Sequence, residues 1–300
     1  MKLYLAPLEG ITSYIYRKAL YQRFDGFDKY FIPFIRAKQN LNFSGREKKD
    51  ISPENNSGTY AVPQILTRNA DDFLRTANQL KEYGYQEVNL NLGCPSKTVV
   101  TKGCGAGFLA RPKELEQFLD RIFSKTDMKI SVKTRLGMEN AEEFPRLMEI
   151  YNRFPMEELI IHPRVQKDFY KNTPNLEIFG EALAISKNSV CYNGDIFSAD
   201  DFKRIQSQFP NVECFMMGRG ILADPSLARE IRGGKAADQS DIRRFHDLLY
   251  HTYREEVSGD RNVLFKMKEI WFYLAPMFAD SKKYAKKIKK ARNVWYMRVQ

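Results

Sequence analysis

An alternation constrains this chain more than any single residue does. Eight short apolar runs recur between residues 1 and 219, and segments of helical periodicity separate most of them. The strand-like runs are Leu3–Ala6, Tyr30–Ile35, Ala61–Leu66, Glu87–Leu92, Lys129–Thr134, Glu158–Pro163, Ser189–Gly194 and Cys214–Arg219. Between them lie Ser13–Gln22, Asn69–Tyr83, Pro112–Ser124, Asn140–Arg153, Asn175–Lys187 and Ser198–Gln208, each patterned as a helix. Two of these starts carry local signals: Asn69 precedes Asp71 and Asp72, and Pro112 is followed by Glu114. A proline needs no N–H in a first turn, and an acid there faces the positive end of the helix dipole. Strands joined through helices run parallel, and eight such units over about 230 residues predict a closed (β/α)8 TIM barrel rather than an open sheet. The stretch Ala37–Thr59 reads as a long polar loop.

After Arg232-Gly233-Gly234 the pattern becomes helical only. Asp241–Val257 and Asn262–Ala275 have helical spacing, and Pro276 stops the second of them. Leu264, Met267, Trp271 and Leu274 form its apolar stripe, which reads as core rather than as a ligand site. The expected division is a barrel over 1–234 and a separate helical domain over 235–300. Charge follows the same division: of a net +11, residues 235–300 carry 15 basic and 8 acidic side chains, a net of +7. From Lys282 to Arg298 there are eight basic residues and no acid, interleaved with Tyr284, Trp295 and Tyr296. Such a run repels itself unless a polyanion neutralises it, so nucleic acid is the expected partner of the tail.

Composition removes other classes. Three hundred residues with 43% hydrophobic content can bury a large core. The four cysteines (Cys94, Cys104, Cys191, Cys214) form no CxxC pair, so neither a disulfide framework nor a metal site is suggested and a reducing cytoplasm fits best. The start MKLYLAPLEGIT is too short in its apolar run for a signal peptide, and no stretch approaches the roughly 18 apolar residues of a membrane span. A soluble cytoplasmic monomer is the expectation.

In a barrel of this kind chemistry gathers at the carboxyl ends of the strands. The fourth run places Val88, Leu90 and Leu92 on one face and Asn89 and Asn91 on the other, then breaks at Gly93-Cys94-Pro95. Asn91 and the Cys94 thiol therefore belong at the rim. The other runs end in Pro7-Leu8-Glu9, Gln64, Lys133 with Arg135, His162 with Arg164, Asn193-Gly194-Asp195 and Gly218-Arg219. Each has an ordinary structural use: Gln64 can satisfy a neighbouring backbone, Lys133 can pair with a carboxylate, and His162 can be a core histidine. Their coincidence at one rim is what points to a site. Gly194 and Gly218 let backbone N–H groups approach a ligand and Arg219 adds a bidentate cation, which predicts a phosphate site between the last two strands. Lys133, with an amide and an imidazole nearby, suits a flavin whose reduced ring is negative at its pyrimidine edge, and FMN is the cofactor expected.

The residues also fall into ordered motifs: Pro7-Leu8-Glu9-Gly10-Ile11-Thr12, Asn91-Leu92-Gly93-Cys94-Pro95-Ser96-Lys97 followed by Gly103-Cys104-Gly105-Ala106-Gly107, Val132-Lys133-Thr134-Arg135-Leu136-Gly137, His162-Pro163-Arg164, Asn193-Gly194-Asp195-Ile196 and Met217-Gly218-Arg219-Gly220. In content and order this set resembles the dihydrouridine synthases from Met1 to about Gly234, with a weaker match in the tail. Leu8 stands where that family has Met, Pro163 where it has Gly, and Thr134 where it has an aliphatic residue. The resemblance implies a flavin-bearing barrel with a helical RNA-binding domain, reducing the C5–C6 double bond of a uridine in tRNA, with NADPH or NADH reducing the FMN. It implies hydride to C6 and a proton from Cys94 to C5, a role open to a thiol of ordinary pKa about 8.5. By the same resemblance Pro7, Leu8, Glu9, Gln64, Lys133, His162, Asn193, Gly194, Asp195, Gly218 and Arg219 hold FMN. Asn91 holds the pyrimidine edge, while Lys97 and Arg135 face the RNA, joined there by Lys286 and Lys287 of the basic tail. A target uridine must leave its stack to reach the site, at a cost of a few kcal/mol.

Three alternatives stay open at this point: the same reaction on ribosomal RNA, a flavoprotein of the dihydroorotate dehydrogenase type acting on a free pyrimidine, and an RNA-binding module without catalysis. The basic tail argues against the second, and Cys94 with Lys133 against the third.

Overall fold

The computed structural model describes residues 1–37, 42–278 and 280–293, so Trp295, Tyr296 and Arg298 of the basic run lie outside the described residues. Eight parallel strands close on themselves in chain order: β1 (Lys2–Leu5), β2 (Lys29–Arg36), β3 (Ala61–Leu66), β4 (Glu87–Leu92), β5 (Lys129–Arg135), β6 (Leu159–His162), β7 (Val190–Tyr192) and β8 (Cys214–Met217), with β8 pairing back to β1. The expected barrel is the observed one. Its outer helices are α1 (Tyr14–Arg23), α2 (Gly45–Ile51), α3 (Ala70–Glu82), α4 (Lys97–Val100), α5 (Pro112–Lys125), α6 (Phe144–Tyr151), α7 (Leu176–Ile185) and α8 (Ala199–Gln208).

The strand pattern decides what faces in and out. Val88, Leu90 and Leu92 join the apolar layer shared with the helices, while Tyr4, Phe31, Val62, Ile160, Cys191 and Met216 belong to a second, smaller cluster with Ala6 and Cys214. Helix α3 buries Phe73, Ala77 and Leu80, and α5 buries Leu115, Phe118 and Ile122. Phe73 and Phe118 meet edge-on at 5.9 Å, and each large side chain so covered contributes about 2 kcal/mol. The β2–β3 register shifts between Ile32 and Ile35, around Pro33, which has no N–H to give to a ladder.

Several elements differ from the expectation. The segment read as a long loop holds α2, whose start is fixed by a Ser44–Glu47 capping box, and a 3-10 turn at Pro53–Asn56. The helix expected over Asn140–Arg153 begins as a 3-10 turn at Ala141–Glu143 and becomes α6 only at Phe144, because Pro145 belongs in a first turn. Strand β8 stops at Met217 and Arg219 already starts a short helix, α9 (Arg219–Ala223), followed by α10 (Leu227–Ile231).

The last helices are α11 (Gln239–Glu256), α12 (Asp260–Leu274), which ends before Pro276, and α13 (Ser281–Lys290). Phe245 of α11 lies 5.6 Å from Tyr16 and 5.3 Å from Phe24, edge-on to both, and the apolar cluster runs unbroken from α1 through α11 and α12. Leu264, Met267, Trp271 and Leu274 are buried in it, as their spacing predicts. Lys266 of α12 donates to the carbonyl of Gly10 at 2.6 Å, tying α12 to the loop after β1. Helix α13 buries nothing, and its six lysines are exposed.

Candidate active site

Asparagine at the end of β4 builds the loop that carries the thiol. Asn91 Oδ1 accepts from the N–H of Gly93 at 3.1 Å and of Cys94 at 2.9 Å, an Asx-type turn. The glycine-rich segment then folds back on it. Ala106 N–H donates to Cys94 O at 3.1 Å, and Gly105, at φ +56°, comes so close that a Cβ would lie 2.9 Å from that same oxygen. Cys94 is half-buried. Burial pushes its thiol above the ordinary range, against the opposing pull of Arg36 and Arg135, so it is protonated at neutral pH.

The carboxyl ends of β3 to β6 meet this loop. Asn91 Nδ2 donates to Gln64 at 2.7 Å, Lys133 lies level with Asn91 in the β4–β5 register, and Arg135 lies level with His162 in the β5–β6 register. The Lys133 ammonium makes no hydrogen bond or ion pair to any described residue, and burial with Arg135 nearby lowers it to about 8. Burial and the surrounding cations hold His162 neutral. Around Pro163 the chain makes a γ-turn, Arg164 N–H donating to His162 O at 2.7 Å, for which proline's fixed φ is suited.

Arg135 does not point toward solvent, where an RNA contact would need it. It is 1% exposed, and its guanidinium donates to Gly93 O at 2.9 Å, Val165 O at 2.9 Å and Phe169 O at 2.7 Å. It staples the Cys94 loop to the loop after β6. Gln166 Nε2 adds a second tie, to Pro95 O at 3.0 Å. That second loop is strained at Phe169, whose φ of +51° is rare for a bulky residue.

The β6–β8 side is an electrostatic cluster. The Asp195 carboxylate accepts from Arg164 at 3.0 and 2.5 Å and from Arg219 at 2.6 Å, and Arg164 also reaches His162 Nε2 at 3.0 Å. Tyr170, which sequence reading passed over, stacks on His162 at 6.1 Å and lies under Arg219 at 4.5 Å. Its only signal was an aromatic pair in the loop after the sixth strand. Asn193 donates to Met216 O at 2.8 Å. Gly194 has a packing reason, since a Cβ there would sit 2.0 Å from the Tyr192 hydroxyl. Gly218 lies against Ala6 and Leu8, bringing the half-buried Pro7-Leu8 segment to the same edge, with Glu9 exposed beside it. Lys97 is exposed at the start of α4, and Lys286 and Lys287 are exposed on α13, apart from these buried groups.

The arrangement offers donors to an anionic group and a cation beside an amide to a polar ring. The backbone N–H groups of Gly194, Asp195, Gly218, Arg219 and Gly220 donate to no acceptor among the described residues, and Arg219 stands beside them. An unpartnered Lys133 and the Gln64 amide lie at the ends of β5 and β3. A phosphate at the first place and an electron-rich ring edge at the second fit FMN.

A family model described as dihydrouridine synthase (Dus) matches residues 4–294. The chain is 27% identical over 291 residues to a tRNA-dihydrouridine(16) synthase of Shewanella oneidensis, covering 94% of this chain and 91% of that one. It is 28% identical over 246 residues to a tRNA-dihydrouridine(16) synthase of Pseudomonas syringae pv. tomato, covering 80% and 77%. Among solved structures, morphinone reductase in complex with tetrahydroNAD superposes with a TM-score of 0.56 at 10% identity, covering 80% of this chain and 89% of that chain. At that identity the likeness is one of fold.

Proposed function

This chain belongs to the dihydrouridine synthase family, and on that premise we propose that it reduces the C5–C6 double bond of a uridine in tRNA, with FMN at the barrel mouth and NAD(P)H as reductant. The observation that carries the reading is the placement of a protonated, half-buried thiol at the end of β4, beside an unpartnered lysine. Bound there, the flavin supplies the hydride that NAD(P)H provides. Cys94 Sγ holds the proton that goes to C5; a thiol whose pKa lies above neutral is a general acid ready in its donating form. Asn91 has both lone pairs of Oδ1 engaged by N–H groups, so toward the base it offers only its second Nδ2–H, which suits a pyrimidine carbonyl oxygen. Lys133 carries its charge at pH 7 toward the ring edge, and the N–H groups after β7 and β8 with Arg219 receive the phosphate.

The exposed lysines of α13 and Lys97 supply the attraction for the RNA backbone, with 1–234 as the catalytic barrel and 235–300 as the RNA-binding part. Purified protein is expected to show flavin absorbance and, with NADPH and an unmodified tRNA transcript, to give dihydrouridine by mass spectrometry. Ribosomal RNA fragments and free orotate serve as parallel arms. A colourless protein that takes up no flavin ends this reading, and turnover of orotate but not of RNA would replace it.

A further inference from the structure

A single file of polar side chains runs through the barrel interior, away from the Cys94 loop. The N–H groups of Gly93 and Cys94 donate to Asn91 Oδ1 at 3.1 and 2.9 Å, and Asn91 Nδ2 donates to Gln64 Oε1 at 2.7 Å. Gln64 Nε2 donates to Asn89 Oδ1 at 2.7 Å, and Asn89 Nδ2 to Ser131 Oγ at 3.0 Å. Ser131 Oγ donates to Glu87 Oε1 at 2.8 Å, and Lys29 Nζ ends the file, donating to Glu87 Oε2 at 2.8 Å and to Glu158 Oε2 at 3.1 Å. None of these six side chains belongs to a residue more than 8% exposed.

Only one polarity satisfies the whole file. Backbone N–H groups at the mouth can only donate, and a carboxylate at the floor, paired with an ammonium, only accepts. Each group between them must therefore accept on the mouth side and donate on the floor side. One amide turned over would set two donors or two acceptors face to face where no water can separate them. Aligned in this way, each bond also polarises the next.

We infer that Ser131 and Glu87 are positioning residues for the uridine-reducing site. From deeper in the barrel they fix the orientation of the Gln64 and Asn91 amides, and through Asn91 the turn that presents Cys94. An Asn91 amide set the other way would turn its NH2 group on the N–H groups of Gly93 and Cys94, opening the turn, and would offer a carbonyl to the base. The catalytic consequence rests on the proposed reaction; the orientation of the file does not.

The test compares Ser131→Ala with Ser131→Thr in the full-length protein as purified. Ser131→Ala removes the hydroxyl and little volume, whereas Ser131→Thr keeps the hydroxyl and adds a methyl to a packed interior. Hydrogen exchange by mass spectrometry is expected to speed up about tenfold in Ser131→Ala at the peptide holding Gly93 and Cys94, with α3 and α5 unchanged. The kcat for tRNA reduction is expected to fall by a similar factor, about tenfold, at unchanged flavin content. Ser131→Thr should stay near wild type in both, even where its thermal stability is the lower of the two. Wild-type exchange at Gly93 and Cys94 in Ser131→Ala overturns the inference, as does Thr proving worse than Ala at that peptide, the order expected of packing alone. If the wild-type protein makes no dihydrouridine, the proposed function fails while the exchange comparison still decides the file.

Discussion

Replacing Arg135 by alanine separates a structural cation from an RNA-facing one. The guanidinium is 1% exposed and gives three hydrogen bonds to backbone carbonyls in two loops. A charged donor contributes about 2 kcal/mol per bond, so about 6 kcal/mol of interaction is lost. Burial opposes this: it pulls the guanidinium down to about 10, and relief of that desolvation offsets part of the loss. The net expectation for Arg135→Ala is a loss of about 3 kcal/mol in urea unfolding followed by circular dichroism. With one of the two ties between the Cys94 loop and the β6 loop cut, turnover should also fall. The dependence of tRNA affinity on salt should not change, because no phosphate contact has been removed. Unaltered stability, together with a salt slope shallower by about one, is the pattern of a phosphate-binding arginine and would refute this account.

For Cys94→Ala, flavin absorbance is expected to survive while dihydrouridine formation drops by about 10² to 10⁴, the usual worth of a general acid; wild-type turnover removes Cys94 from the mechanism. In the wild-type enzyme the acid works in its protonated form and burial raises its pKa, so the Cys94 step stays level through neutral pH, and the first fall in turnover is expected near pH 8, where the Lys133 ammonium loses its charge; a fall already between pH 6 and 7 would contradict that. Replacing Lys286, Lys287, Lys289 and Lys290 together by alanine should flatten the salt dependence of tRNA binding in filter titrations, and an unchanged slope rejects the role of α13. Gly220→Ala would place a Cβ 1.9 Å from Ile196 O and should cost about 3 kcal/mol or prevent folding, whereas Gly45→Ala, with open space around it in α2, should be neutral in thermal unfolding.

The barrel was legible because period-two runs and helical runs alternate over most of the chain, a pattern with few other solutions. The short helices were not. Helix α2 rests on a capping box and a buried Asp50 that accepts from Tyr14 N–H at 2.6 Å, a contact between segments 36 residues apart that composition does not announce. Helices α9 and α10 have five residues each, too few for a period to emerge. At the site, sequence shows which side chains reach the rim but not who receives them. Arg135 and Asp195 read as ligand-facing groups, and the fold uses one to staple loops and the other to bind Arg164 and Arg219. Asn89 and Ser131 carried no motif beyond strand alternation, and only the closed barrel sets them in one file.

Arg135, Arg164, Arg219 and Lys133 crowd the β5–β8 edge, where the carboxylates of Asp195 and Asp168 are too few among the described residues to balance them. The folded chain by itself thus bears a mutual repulsion that the unfolded chain escapes. Folding and loading are for that reason one balance: an anion settling among these cations raises the melting temperature with the logarithm of its concentration, and newly made protein is at its most fragile before that anion arrives.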